Sequence, residues 1–287
     1  MDYGVYGIYV LKIRKTNMLK HFLNGFVNGF ANRDNPLEFE FLKKNLVQQN
    51  TNNLPELNIF IHGYSAIFNE STKQDIFRKT TTPKQHHNWC FCWSSGFVLN
   101  PFFKHGNIEA MKKLVRLEKV NKNTVKQATI LFDHFKDNQE KAEYIGKHFL
   151  LSSIKREIEK EGLSYSKINL FGHSLGARLI CHAIKENPKD SRDLKIKDVV
   201  LLGGAVPVGD DWNSIISNID GTVHNFYSSK DFVLMMKPDS EKCVGRYQLT
   251  SNYLPNNLRI VNHEVSCLHW QYWDIMPEIF NKLNIKF

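Results

Sequence analysis

The sequence predicts an α/β protein, and three observations lead there. Apolar runs of strand composition alternate with stretches of helical periodicity along most of the chain. Some of these runs, above all "KDVVLLGGAVP" at 197–207, are apolar on both faces, as strands of a buried parallel sheet are. In "KINLFGHSLGARLICHAI", residues 167–184, a strand pattern turns into a helix pattern across a Gly-x-Ser-x-Gly turn. With 287 residues, 42% of them hydrophobic, the chain is long enough for one large core, so a single domain over 1–287 is expected.

The elements follow in order. Residues 3–13 read as a strand or hairpin and 37–48, "LEFEFLKKNLVQ", as a helix, together an extension over 1–50 packed on the main domain. "LNIFI" at 57–61 is the first core strand and ends in His62-Gly63-Tyr64; a helix over 70–79 follows. "NWCFCWSS" at 88–95 is the next strand. Residues 107–136 read as helical, with Ile108, Met111, Leu114 and Val115 on one face and Lys112, Arg116 and Lys119 on another. A longer helix over 139–161 turns Ala142, Ile145, Phe149 and Ile158 inward. Strands at 167–171, 197–207, 222–229 and 257–265 alternate with helices at 175–184 and 212–218, and a closing helix covers 270–283.

Charge and cysteine content narrow the classes. The balance of 38 Lys+Arg against 29 Asp+Glu gives a net charge of +9, which suits nucleic acid or anionic lipid. The charges are spread along the whole chain, without zinc-finger spacing, a basic tail or a basic leucine-zipper region, so no nucleic acid partner is expected. Five cysteines include no CxxC pair, and Cys90, Cys92 and Cys181 sit in apolar patterns as small core residues. Residues 1–30 lack a signal-peptide layout and no apolar run reaches membrane-spanning length, so a soluble, cytoplasmic protein is expected.

The turn at 172–176 carries the chemistry. Gly-x-Ser-x-Gly between a strand and a helix is the nucleophile elbow of α/β-hydrolases. The sharp turn strains the serine, so its close neighbours must lack a Cβ, and Gly172 and Gly176 meet that need. Ser174 then projects from the carboxyl edge of the sheet at a helix N-terminus, where partial positive charge favours an oxyanion. The bare pattern arises by chance in about one chain of this length in twenty; its strand and helix flanks make it specific.

A serine becomes a nucleophile when an imidazole takes its proton and a carboxylate orients the imidazole. In this fold the chain order is Ser, acid, His. Asp231 in "NFYSSKDFVL" follows a later strand and is the candidate acid; Asp210 and Asp211 are rivals, in positions that suit caps of helix 212–218. His269 in "CLHWQYW", at the start of the closing helix, is the candidate base, with His263 as runner-up. The oxyanion would be held by the amides of Leu175, the residue after the nucleophile, and Tyr64, in the loop after the first core strand. His62 suits a loop-shaping role. No His/Cys group has ligand spacing, so no metal or other cofactor is expected.

The stretches "IFIHGYSAIF", "CFCWSSG", "INLFGHSLGARLI", "VVLLGGAVP", "YSSKDFVL" and "HWQYW" together resemble the lipase-like α/β-hydrolases of the transmembrane and coiled-coil domain family and related bacterial families of unknown function. The resemblance covers about 57–273. It implies an α/β-hydrolase fold, a mostly parallel central sheet with helices on both faces, and a Ser174–Asp231–His269 triad. It does not cover 97–140, which has the position of a helical, cap-like insertion; Phe97, Phe102, Phe103, Met111, Phe132 and Phe135 there would line an acyl pocket.

The expectation is therefore a serine hydrolase of a lipid or other apolar carboxylic ester, with the basic helix face resting on an anionic membrane. Two other readings stay open: a hydrolase fold kept as an inactive binding or effector module, and a nucleic-acid binder with steeply salt-dependent affinity.

Overall fold

The computed structural model describes residues 8–11, 39–44, 55–64, 70–80, 86–95, 135–235, 241–249 and 259–285. Eight strands form one sheet: β1 Ile8–Leu11, β2 Phe39–Lys44, β3 Glu56–Ile61, β4 His86–Trp93, β5 Lys167–His173, β6 Ile196–Leu202, β7 Val223–Tyr227 and β8 Ile260–Glu264. Their order across the sheet is β1-β2-β4-β3-β5-β6-β7-β8. β2 runs antiparallel to both its neighbours, and every pair from β4 to β8 is parallel. This is the α/β-hydrolase fold.

The helices are α1 Glu70–Lys79, α2 over 135–160, α3 Leu175–Glu186, α4 Pro188–Asp193, α5 Trp212–Ser217, α6 Phe232–Met235 and α7 Met276–Lys282. The middle of α2, Gly146–Leu150, is a π turn that packs on α3. The sheet separates two apolar layers. On one face Leu57, Ile59, Trp89, Phe91 and Leu170 pack against Ala142, Ile145 and Ile154 of α2, Leu179 and Ile180 of α3 and Ile215 of α5. On the other, Phe60, Phe171 and Phe226 meet Ile76 and Phe77 of α1 and Met276, Ile279 and Phe280 of α7. Phe60 and Phe171 stack at 4.6 Å, with Phe280 edge-on to both. Each fully buried ring contributes about 1.5–3 kcal/mol of transfer free energy, so helices on both faces are what keep a sheet apolar on both sides folded.

Several expectations need correction. Residues 37–48 are not a helix: 39–44 form β2, paired antiparallel with β4. Phe39 and Phe41 alternate with Glu40 and lie against Phe91 and Trp89, so a period of two wins once the partner strand supplies the hydrogen bonds. The strand expected over 197–207 stops at Leu202, because Gly203 turns to φ +52 and leaves the extended region. The strand expected over 222–229 ends at Tyr227, where Ser228 begins a turn. The closing helix is split into a 3-10 turn, His269–Gln271, and α7; Pro277 has no amide hydrogen and suits the first turn of a new helix. The helix over 107–136 and the insertion lie outside the described residues up to 134, as do Phe97, Phe102, Phe103, Met111, Phe132, Lys112, Arg116 and Lys119.

Candidate active site

The sheet reverses its winding between β3 and β5, since β4 lies on one side of β3 and β5 on the other. Parallel sheets leave a crevice at the carboxyl ends of the strands at such a point. Ser174 stands there, directly after β5 and at the N-cap of α3. Its backbone has φ 54° and ψ −117°, a conformation that costs about 1–3 kcal/mol for a residue with a side chain. Neighbouring main chain holds it there: its amide donates to Leu202 O at 3.0 Å, and its carbonyl accepts from Ala177 N and Ala205 N. The flanking glycines answer to space. A Cβ on Gly176 would lie 2.2 Å from Ile61 O, and one on Gly172 2.6 Å from Ala177 Cα.

His269 begins the 3-10 turn, and that turn is closed by Gln271, whose side-chain oxygen accepts from Leu268 N at 2.8 Å. Its ring meets two groups: Nε2 lies 2.9 Å from Ser174 Oγ and Nδ1 2.6 Å from Asp231 Oδ2. A carboxylate accepts, so Nδ1 carries the hydrogen and Nε2 presents its lone pair to the Ser174 hydroxyl. Asp231 is fully buried, and its other oxygen accepts from Leu234 N at 3.1 Å as the start of α6. The loops of Asp231 and His269 are stitched together by Ser228, whose hydroxyl donates to Cys267 O at 2.7 Å, and by Lys230, whose Nζ donates to Ser266 Oγ.

On the opposite side of Ser174 lies the loop after β3. Gly63 sits so close that a Cβ there would be 2.6 Å from Ser174 Cβ and 3.2 Å from its Oγ. His62 anchors this loop: its Nε2 accepts from Trp93 N at 3.1 Å, which leaves Nδ1–H to donate to Gly63 O at 2.9 Å. Trp93 Nε1 returns a bond to His62 O at 2.9 Å. Burial pushes the His62 imidazole down to about 4, with Lys73 adding a smaller push and the Gly63 bond opposing both. His62 thus shapes the loop as a neutral group. With the Gly63 carbonyl held by His62, the trans peptide turns the Tyr64 N–H the other way. Leu175 is the first residue of α3, where a backbone amide has no intrahelical acceptor. The Tyr64 ring packs edge-on against Phe135 at 5.5 Å, so one of the expected acyl-lining aromatics lies beside this loop.

The other candidates are placed elsewhere. Asp211 caps α5, accepting from Ser214 N at 3.0 Å, and Asp210 pairs with Lys185 Nζ at 2.5 Å. His263 lies within β8, 3.2 Å from His224 Nδ1 and stacked on Phe226. Sequence reasoning missed His173, which fills the open position of the elbow motif and whose Nε2 lies 2.8 Å from the His269 carbonyl, and Ser228, which lies in the turn after β7. Among the described residues no group of three His, Cys, Asp or Glu side chains forms a metal-ligand cluster. All five cysteines are buried thiols. Among the described residues, no helix is long and apolar enough to cross a membrane.

A segment of 125 residues, 42% of the chain, is 30% identical to an uncharacterized membrane protein of Caenorhabditis elegans, and covers 20% of that protein's length. Among solved structures the chain is similar to Est1E from Butyrivibrio proteoclasticus, with a TM-score of 0.44 and 10% identity over 86% of this chain and 93% of that one. It is also similar to a thioesterase domain from the curacin biosynthetic pathway, with a TM-score of 0.45 and 11% identity over 98% and 100% of the two chains. A thermostable esterase gives a TM-score of 0.44 at 14% identity, over 97% of this chain and 62% of that one. The model of one family matches residues 122–286, the stretch that carries the elbow, Asp231 and His269; the chain belongs to DUF726, a family of proteins of unknown function.

Proposed function

We propose that this protein is a serine hydrolase of carboxylic esters, with Ser174 as nucleophile, His269 as general base and Asp231 as the group that orients the base. The observation that carries the reading is the unbroken chain Asp231 Oδ2–His269–Ser174 Oγ, at 2.6 and 2.9 Å, ending on a strained serine at a helix N-terminus. As Ser174 Oγ attacks the ester carbonyl, its proton passes to His269 Nε2, and the imidazolium gives that proton to the departing alkoxide. Water then attacks the acyl carbon, losing a proton to His269 Nε2; the acyl–Oγ bond breaks, His269 returns that proton to Ser174 Oγ, and the acid leaves. The amides of Leu175 and Tyr64 would receive the oxyanion; one such donor is worth about 10²–10³ in kcat.

A lipid or other apolar acyl ester suits the surroundings. Phe135 lies against Tyr64, and three large exposed apolar side chains, Phe232, Met235 and Trp270, follow closely on the acid and the base. The basic residues Lys112, Arg116 and Lys119 would add affinity for an anionic membrane. An inert binding module has no need of a histidine bonded to both the serine and a buried carboxylate.

The test is a panel of soluble esters and of lipid esters in anionic and neutral vesicles, run on the wild type and on Ser174→Ala. The variant is expected to lose about 10⁴–10⁶ in kcat on every substrate the wild type cleaves. Hydrolysis of anionic vesicles is expected to exceed that of neutral ones and to fall with salt. Equal turnover by wild type and variant would end the reading.

A further inference from the structure

His173 is buried, and neither the nucleophile nor the acid uses its side chain. Its Nε2 lies 2.8 Å from the main-chain carbonyl oxygen of His269. A carbonyl only accepts, so Nε2 carries the hydrogen and Nδ1 is bare; Nδ1 is buried and has no hydrogen-bond partner among the described residues. Burial holds this imidazole well below its usual value; the nearby His269 and His62 rings push the same way, and the bond to the His269 carbonyl opposes them. It is a single neutral donor, set 4.8 Å ring to ring from the residue that would become positively charged.

The bond closes a small ring. From Ser174 the path runs back one residue to the His173 side chain, across to the His269 carbonyl, along the His269 side chain to Nε2, and back to Ser174 Oγ at 2.9 Å. In the resting site the Ser174–His269 bond itself helps to aim the imidazole. Once Ser174 Oγ is bonded to an acyl carbon that bond is gone, and the imidazolium must still direct its proton at the leaving group. What then holds His269 is Asp231 on Nδ1, the bonds within its own turn, and His173 on its carbonyl.

We propose that His173 is a positioning residue for the base: it ties the residue before the nucleophile to the main chain of His269, and so keeps the imidazole aimed while the serine is acylated. This rests on the serine-hydrolase reading above. The competing role is packing, since the His173 ring also touches Tyr272 at 5.6 Å and Trp273 at 5.4 Å between centroids.

Two substitutions separate the roles. His173→Phe keeps a ring and removes the donor; His173→Gln removes the ring and keeps an N–H at a similar reach. The readouts are kcat and KM on a soluble ester and the rate at which a fluorophosphonate labels Ser174, at equal folded fraction by circular dichroism. His173→Phe is expected to slow kcat and labelling about 10- to 100-fold, as a misplacement near 1 Å does. KM is expected to stay within about twofold, and His173→Gln to keep kcat within about threefold of wild type. A Phe variant at the wild-type rate, or a Gln variant as slow as the Phe variant, would overturn the proposal. If wild type neither turns over esters nor reacts with the probe, the hydrolase reading fails, and the tether is read directly from histidine nitrogen spectra. One neutral Nε2–H histidine, assigned to residue 173, is then expected at neutral pH; an Nδ1–H or a protonated ring there would overturn the tether itself.

Discussion

The loops that follow β6 and β7 leave the same edge of the sheet, and both carry aspartates, but they use them in opposite ways. After β6, Asp210 meets the ammonium of Lys185 in a part-buried ion pair, and Asp211, which is exposed, caps α5. After β7, Asp231 is fully buried and, among the described residues, no lysine or arginine bonds it; its carboxylate spends one oxygen on the amide of Leu234 and the other on the His269 ring. A carboxylate capping a helix in water stabilises the fold by a modest amount. A carboxylate buried against an imidazole has strong directional control over that ring, because little else screens the pair. Position at a strand end does not separate these roles; burial and the identity of the partner do.

Three substitutions put the difference between the loops to the test. The largest effect is expected from Asp231→Asn, which leaves the shape but removes the acceptor that fixes the His269 tautomer. Ester turnover should fall about 10³–10⁴-fold, while Asp210→Asn and Asp211→Asn stay close to wild type. The reverse ranking, read from kcat/KM of the three variants, would move the acid to the β6 loop.

The loop after β3 extends the contrast to a base, for it begins with a buried histidine, His62. His62 is held at about 4 in the fold by burial, against an ordinary value of 6.5. The folded pKa is the lower one, so between those values the unfolded chain binds more protons and stability falls as pH drops from 6.5 towards 4. One fully buried histidine of this kind contributes about 3 kcal/mol to that loss. Urea titrations at pH 7 and pH 4.5 should show a smaller acid loss in His62→Asn than in the wild type. Equal losses would mean that His62 is protonated without penalty.

The smallest effect is expected at the surface. Asp211→Ala should cost about 0.5–2 kcal/mol of stability as a lost N-cap, visible as a lower urea midpoint, with ester turnover unchanged.

The sequence made the strand–elbow–helix unit readable because its constraints are local. Gly172 and Gly176 are needed within two residues of Ser174, and the apolar runs on either side declare their own periods. What it hid depends on residues far along the chain. β2 looks helical until β4, about fifty residues later, supplies its ladder. The ends of β6 and of the closing helix turn on Gly203 and Pro277, each a single residue inside an apolar pattern. Chain order put Asp231 and His269 on the candidate list, but rivals such as Asp210, Asp211 and His263 share their residue types and strand-end or strand positions. The hydrogen bonds of each, 25 to 39 residues away in sequence for Asp210, His224–His263 and Asp231, are what tell them apart. His173 was invisible for a related reason: the motif treats its position as free, and its partner is 96 residues distant.

The central claim is that Ser174 is an activated nucleophile, and intact-protein mass spectrometry after exposure to a fluorophosphonate tests it most directly. One phosphonyl adduct per chain is expected, mapped to the peptide containing Ser174, absent in Ser174→Ala and strongly slowed in His269→Ala. No adduct on folded wild-type protein, or an adduct that persists in Ser174→Ala, would contradict the account.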